Sequence, residues 1–133
     1  MSRRAVGVAT AAAVAAAVLP AGRAVAQAQS FMVFFDRDEM MAPASARRLV
    51  NAIKSRISKG ATVTLTGHCD AAERDPDKLS LARAMEVHGM LVGMGVAPET
   101  KFQIVAKGAG SPFAGTEPNK FDPRNSRVEV AIK

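Results

Sequence analysis

Asp70 and Arg83 are the two side chains whose types and placement best suit chemistry. A carboxylate accepts from an ammonium group, and a guanidinium grips a carboxylate with two parallel bonds, so together they suit a zwitterion. Asp70 follows the alternating run Ala61–Thr66, at what should be the carboxyl end of a strand. Arg83 falls in the second turn of the helix that Asp75-Pro76 should open. Helical side chains lean toward the N-terminus of their helix, which aims Arg83 back at the loop bearing Asp70. Open α/β sheets bind ligands at the carboxyl ends of their parallel strands, and a helix N-terminus there adds N–H groups and a positive potential. The same two residues also suit a structural salt bridge that steadies the loop. Spacing alone does not separate the two readings.

His68-Cys69 invites a metal or nucleophile reading, but either needs more partners. Asp36, Asp38, Asp70 and His88 are the candidate helpers, and none has ligand spacing to the pair. Adjacent strand-end side chains also point to opposite faces. No catalytic residue, metal ligand or cofactor is therefore expected. Met32, Met40, Met41, Met85, Met90 and Met94 read as adaptable core filler. Arg47, Arg48, Lys54, Arg56 and Lys59 read as a solvated basic face.

These residues need a scaffold, and the patterning supplies one. Phe31–Phe35 is apolar on both faces and reads as a central strand. From Ala42 to Ser58, Ala46, Leu49, Val50, Ile53 and Ile57 recur at helical spacing, with Pro43 in the first turn and Gly60 at the stop. Ala61–Thr66 is a second strand. Asp75 as N-cap and Pro76 at the first position open a helix to about Val92. Phe102–Ala106 is a third strand, Lys107–Arg124 a long Gly/Pro-rich loop, and Ser126–Ile132 a fourth strand. The order β-α-β-α-β-β predicts an α/β two-layer sandwich with a mixed sheet.

The 133 residues suit one domain. Met1–Arg4 is basic, Ala5–Leu19 is uncharged and apolar, and Ala24-Val25-Ala26 has small residues at cleavage spacing, so 1–26 reads as a secretory signal peptide and 27–133 as the domain. The apolar run is shorter than the ~20 residues of a membrane span. Losing Arg3, Arg4 and Arg23 takes the formal charge from +6 to +3. With no Trp or Tyr to stack bases, nucleic acid is not an expected partner. The single Cys cannot form an internal disulfide, and the residue directly after the cleavage point is Gln27, not a Cys that could carry a lipid. The expected location is the periplasm, without a lipid anchor or transmembrane span.

Four segments, in order, resemble the OmpA-like peptidoglycan-binding domain. They are Gly67-His68-Cys69-Asp70, Leu79-Ser80-Leu81-Ala82-Arg83-Ala84, Gly108-Ala109-Gly110-Ser111-Pro112 and Asn125-Ser126-Arg127-Val128-Glu129-Val130. Phe34-Phe35-Asp36 is similar to the family's opening Phe-x-Phe-Asp. The resemblance covers about 31–132 and implies a non-catalytic module binding the diaminopimelate of peptidoglycan stems. It carries the family's ligand Asp to Asp70 and its ligand Arg to Arg83, and it places Asp38 and Arg127 in the same pocket. Three departures stand out: Cys69 replaces a Thr, the Asp70–Arg83 loop is two residues short, and Ser126 replaces a basic residue. The alternative reading is a divergent envelope scaffold that has lost the ligand and binds a protein of the envelope or outer membrane.

Overall fold

The computed structural model describes residues 28–113, 115–117 and 119–133; the expected signal peptide lies outside them. Four strands, β1 (Gln29–Phe34), β2 (Thr62–Gly67), β3 (Lys101–Ala106) and β4 (Arg127–Ile132), form one sheet in the order β1-β4-β2-β3. β2 and β3 are parallel, joined through helix α2 (Pro76–Gly93), while β4 runs antiparallel to both β1 and β2. α1 (Ala46–Lys54) and α2 cover one face. This is the expected two-layer α/β sandwich.

The core forms where inward residues of the sheet meet the helix stripes. Val33, Val63, Leu65, Val128 and Val130 lie fully buried against Val50, Ile53, Ala84, Val87 and Leu91. Burying each aliphatic side chain contributes about 1.5–3 kcal/mol, so this layer is the main source of stability.

Several expectations need correction. β1 is an edge strand rather than a central one, because the terminal strand β4 inserts between β1 and β2. Val33 is buried, but Met32 and Phe34 face outward and are exposed. α1 is shorter than 42–58, since single turns at Pro43–Arg47 and Ile53–Ile57 stand at its ends without joining the regular ladder. Its buried stripe is Ala46, Val50 and Ile53, leaving Leu49 exposed. Met90 and Met94 do pack on the core, whereas Met32, Met40, Met41 and Met85 are exposed. Asp75 does occupy the N-cap of α2, yet its side chain makes no cap bond and its backbone is left-handed at φ 43°.

The contact that sets the site is at Gly67, the last residue of β2. A Cβ there would lie 1.8 Å from the Ser80 carbonyl oxygen of α2, so only glycine lets helix and strand approach this closely. Ser80 is itself locked, its hydroxyl donating to the Asp77 carbonyl and accepting from the Gly108 N–H. Gly67→Ala is expected to push α2 off the sheet and lower stability by about 3 kcal/mol, the upper end of overpacking costs. Urea unfolding followed by circular dichroism checks this; an unchanged midpoint would contradict the close approach.

Candidate functional site

At the carboxyl end of β2 the chain turns through a short loop, Cys69–Asp75, before entering α2. The His68 N–H donates to the Arg127 carbonyl and the Cys69 N–H to the Gly108 carbonyl, so the strand end is tied to both of its neighbours. Asp70 follows, with 3% of its surface exposed. One carboxylate oxygen accepts from the Ala72 N–H at 2.9 Å. The other accepts from the Asp122 N–H and the Asn125 side-chain amide, each at 2.9 Å. Asp70 thus fastens Asp122 and Asn125, just ahead of β4, to the sheet. Beside it opens a cavity of about 300 Å³, lined by Asp70, Ala71, Pro112, Thr116, Glu117 and Asn125 among others.

Arg83 is wholly buried, which is unusual for an arginine and demands full satisfaction of its donors. It does reach back to the strand end as the tilt of helical side chains requires, but its acid is Glu73 rather than Asp70. Nη1 donates to Glu73 Oε1 and the His68 carbonyl, Nη2 to Glu73 Oε2 and the Asp36 carbonyl, and Nε to the Glu39 carbonyl. All of its N–H groups are taken by the chain. The Phe35 ring lies under the guanidinium at 5.4 Å.

Glu73 is equally enclosed. Besides Arg83, its carboxylate accepts from the Asp70 N–H at 2.8 Å, the Asp38 N–H at 2.7 Å and the Ser126 hydroxyl at 2.8 Å. Burial alone would raise its pKa, but the bonds from Arg83, the two N–H groups and Ser126 outweigh that and hold it at about 2, against an ordinary 4.5. Nothing in the composition of the 71–75 loop singled out Glu73. The signal available was the coincidence of an acid in a shortened loop with a hydroxyl at position 126.

The other expected site residues stand apart from Asp70. Asp38, left-handed at φ 60°, accepts from the Arg74 N–H and borders a separate cavity of about 190 Å³ with Arg74 and Lys78. Arg127 is buried and held by Glu129, with Nη2 and Nε 2.8 and 3.0 Å from Oε2, and it lies over the Phe113 ring. Hence Arg83, Asp38 and Ser126 converge on Glu73, Asp70 faces the larger cavity with Asn125, and Arg127 joins a third cluster with Glu129 and His68.

His68 is buried with both ring nitrogens unbonded, Nε2 lying 3.5 Å from Glu129 Oε1. Burial and then Arg127 lower its pKa, against the pull of Glu129. The Cys69 thiol donates to the Pro76 carbonyl and sits 3.5 Å from Arg83 Nη1. Burial, opposed by Arg83, pushes it up to about 11. A thiol so placed is a poor nucleophile. Among the described residues no cluster of three His, Cys, Asp or Glu side chains has a geometry that would hold a metal.

Comparison with known proteins adds identity to this geometry. The model of the OmpA family matches residues 34–126. An outer membrane protein of Gluconacetobacter diazotrophicus is 30% identical over 115 residues, which span 79% of this chain and 30% of that protein. The chain therefore spans under a third of that relative. The peptidoglycan-associated lipoprotein from Burkholderia pseudomallei superimposes with a TM-score of 0.67 at 19% identity, covering 77% of this chain and 89% of that one. The C-terminal domain of Helicobacter pylori MotB does so with a TM-score of 0.63 at 19% identity, covering 77% and 84%. These structures share the fold.

Two outcomes follow from the buried pair and the thiol. The folded-state pKa of Glu73 lies below its unfolded value, so its contribution is complete above pH 4.5 and is lost as pH falls toward 2. Glu73→Gln should lower stability by about 3 kcal/mol at pH 7, and the gap to the parent should narrow across that acid window. Urea midpoints of both proteins from pH 7 to pH 2 test this. Cys69 should resist iodoacetamide at pH 8 in the folded chain and react within minutes in denaturant. Rapid labelling of the native protein would contradict its burial.

Proposed function

The chain belongs to the OmpA family, and from that premise we propose that it is a non-catalytic envelope module that binds peptidoglycan. The diaminopimelate-bearing stem sits in the cleft beside Asp70, whose carboxylate accepts from the ammonium end. The observation that carries this reading is a buried, oriented carboxylate bordering a cavity of about 300 Å³ at the carboxyl end of a parallel strand. Likeness to a lipoprotein named for its association with peptidoglycan supports the ligand class. Likeness to an outer membrane protein, together with the leader pattern over 1–26, supports a periplasmic location. Arg83 is the residue proposed for the stem carboxylate, which must then compete with Glu73 for it. Asp38 holds one of the N–H groups facing that place, and Arg127, buried against Glu129, borders neither cavity.

One observation favours the second reading, a scaffold that has given up the ligand for a protein partner: every N–H of Arg83 is already engaged within the chain. Sedimentation with purified sacculi separates the two. A peptidoglycan module should pellet with sacculi and be released by free diaminopimelate. Asp70→Asn, checked for folding, should weaken binding by one to two decades, the worth of about 1.5–3 kcal/mol for a charge-assisted bond. Salt-sensitive pelleting that diaminopimelate does not reverse would leave only charge adhesion, and absence of pelleting would favour the scaffold.

A further inference from the structure

Glu73 does not behave as one half of an ordinary ion pair. Its two carboxylate oxygens receive both terminal nitrogens of Arg83, two backbone N–H groups and one hydroxyl. Those donors come from separate parts of the chain: Asp38 after β1, Asp70 after β2, Arg83 on α2 and Ser126 before β4. Arg83, Asp70 and Ser126 are each held by other bonds, Ser126 through the Pro123 carbonyl and the Phe35 N–H, while Asp38 is tied to Arg74 beside Glu73. Carbonyls of Asp36, Glu39 and His68 hold the guanidinium against Phe35. The Asp38 side chain accepts from the Arg74 N–H, and the Asp70 side chain is tied to Asp122 and Asn125. The result is a preformed, positively charged socket shaped for one carboxylate.

What fills the socket arrives on a surface loop. Ala71, Ala72, Arg74 and Asp75 are exposed, and Glu73 is the one side chain of that stretch that dips inside. Cavities flank the loop on both sides, one bordered by Asp70 and Ala71 and the other by Asp38, Arg74 and Asp75. Hydrophobic packing is not what anchors it, since the residues on either side of Glu73, Ala72 and Arg74, are exposed.

We propose that Glu73 is an internal ligand: it closes a carboxylate-binding socket centred on Arg83, and the socket accepts an external carboxylate once Glu73 is withdrawn. The inference stands on the socket geometry and does not require that the neighbouring cleft bind peptidoglycan. Should both hold, the stem carboxylate competes with Glu73 for the same donors, and the 70–75 loop gates that half of the site.

The test uses the atoms of the side chain itself. Glu73→Ala removes a methylene and a carboxylate, leaving a space the size of acetate. In the full chain at pH 7, Glu73→Ala should melt below the parent. Acetate should then raise its Tm saturably, on the order of 5 °C, while chloride at equal ionic strength does not. The parent and Glu73→Gln, whose sockets remain filled, should not respond to acetate beyond the chloride control. Arg83→Leu in the Glu73→Ala background should abolish the rescue. If Glu73→Ala is unfolded in chloride, folding in acetate alone supports the socket, and remaining unfolded in both overturns it. A folded Glu73→Ala with no acetate-specific rise, or a rise matched by the parent, overturns it as well. Because the readout is Tm, failure to bind sacculi would leave this result standing.

Discussion

A guanidinium inside the protein, at Arg83, is the constraint around which this end of the molecule is organised. Burying a charge costs several kcal/mol unless it is paired and every donor is met. Here the solution draws on three stretches of chain. Carbonyls of the turn after β1 take Nε and one Nη2 hydrogen, the carbonyl of His68 at the end of β2 takes one from Nη1, and Glu73 takes the remaining two. The turn at Asp36–Glu39, the loop at Cys69–Asp75 and the entry to β4 are thereby fixed relative to one another. Gly67 makes the arrangement possible by letting α2 lie close enough for Arg83 to reach the strand end.

Much of this scaffold was legible in the residues because period and punctuation agreed. α2 begins at Pro76 as Asp75-Pro76 signals, and β2, β3 and β4 fall where alternation or an apolar run places them. What local pattern does not carry is the neighbour of each strand. Phe31–Phe35 is apolar throughout, which suits a strand covered on both faces, yet strand order follows from where the last strand inserts. β4 separates β1 from β2, so Met32 and Phe34 stay exposed on an edge. The apolar stripe of α1 failed at Leu49 for a related reason: a helix this short meets the sheet along one line, and Ala46, Val50 and Ile53 already occupy it.

The site was legible in its residue types but not in its pairing. Arg83 does lean back to the strand end, as helical geometry requires, and Asp70 does stand at that end. Two carboxylates lie within reach on the same short loop, however, and spacing cannot tell which one the guanidinium meets. The choice is made by donors distant in sequence. Asn125 and the Asp122 N–H claim Asp70, while Ser126 and the Asp38 N–H complete the bonding of Glu73. Ser126 and the shortened loop, separate departures from the family pattern when read along the chain, prove to be two walls of one enclosure. A long basic side chain at position 126 would direct a second charge toward the place that Glu73 fills.

This partition leaves the two halves of the site electrostatically unequal. The charged side chains among the described lining of the larger cavity are Asp70 and Glu117, both acidic, while the arginine charge is neutralised in place by Glu73. An ammonium group entering the cavity meets a negative lining, where the Asp70 carboxylate already accepts from two backbone N–H groups and the Asn125 amide but faces no competing positive charge among the described lining. A carboxylate meets an occupied socket. A competitor tethered by a short loop acts at an effective concentration in the millimolar range or above, so an external carboxylate at micromolar concentration gains little from Arg83 by itself. Displacement becomes favourable only when the same molecule also binds elsewhere in the cleft and is thereby held near the socket. On the proposed reading, recognition of a zwitterion at this edge therefore begins with its ammonium end at Asp70, and the strength of that first contact sets how far Arg83 can contribute.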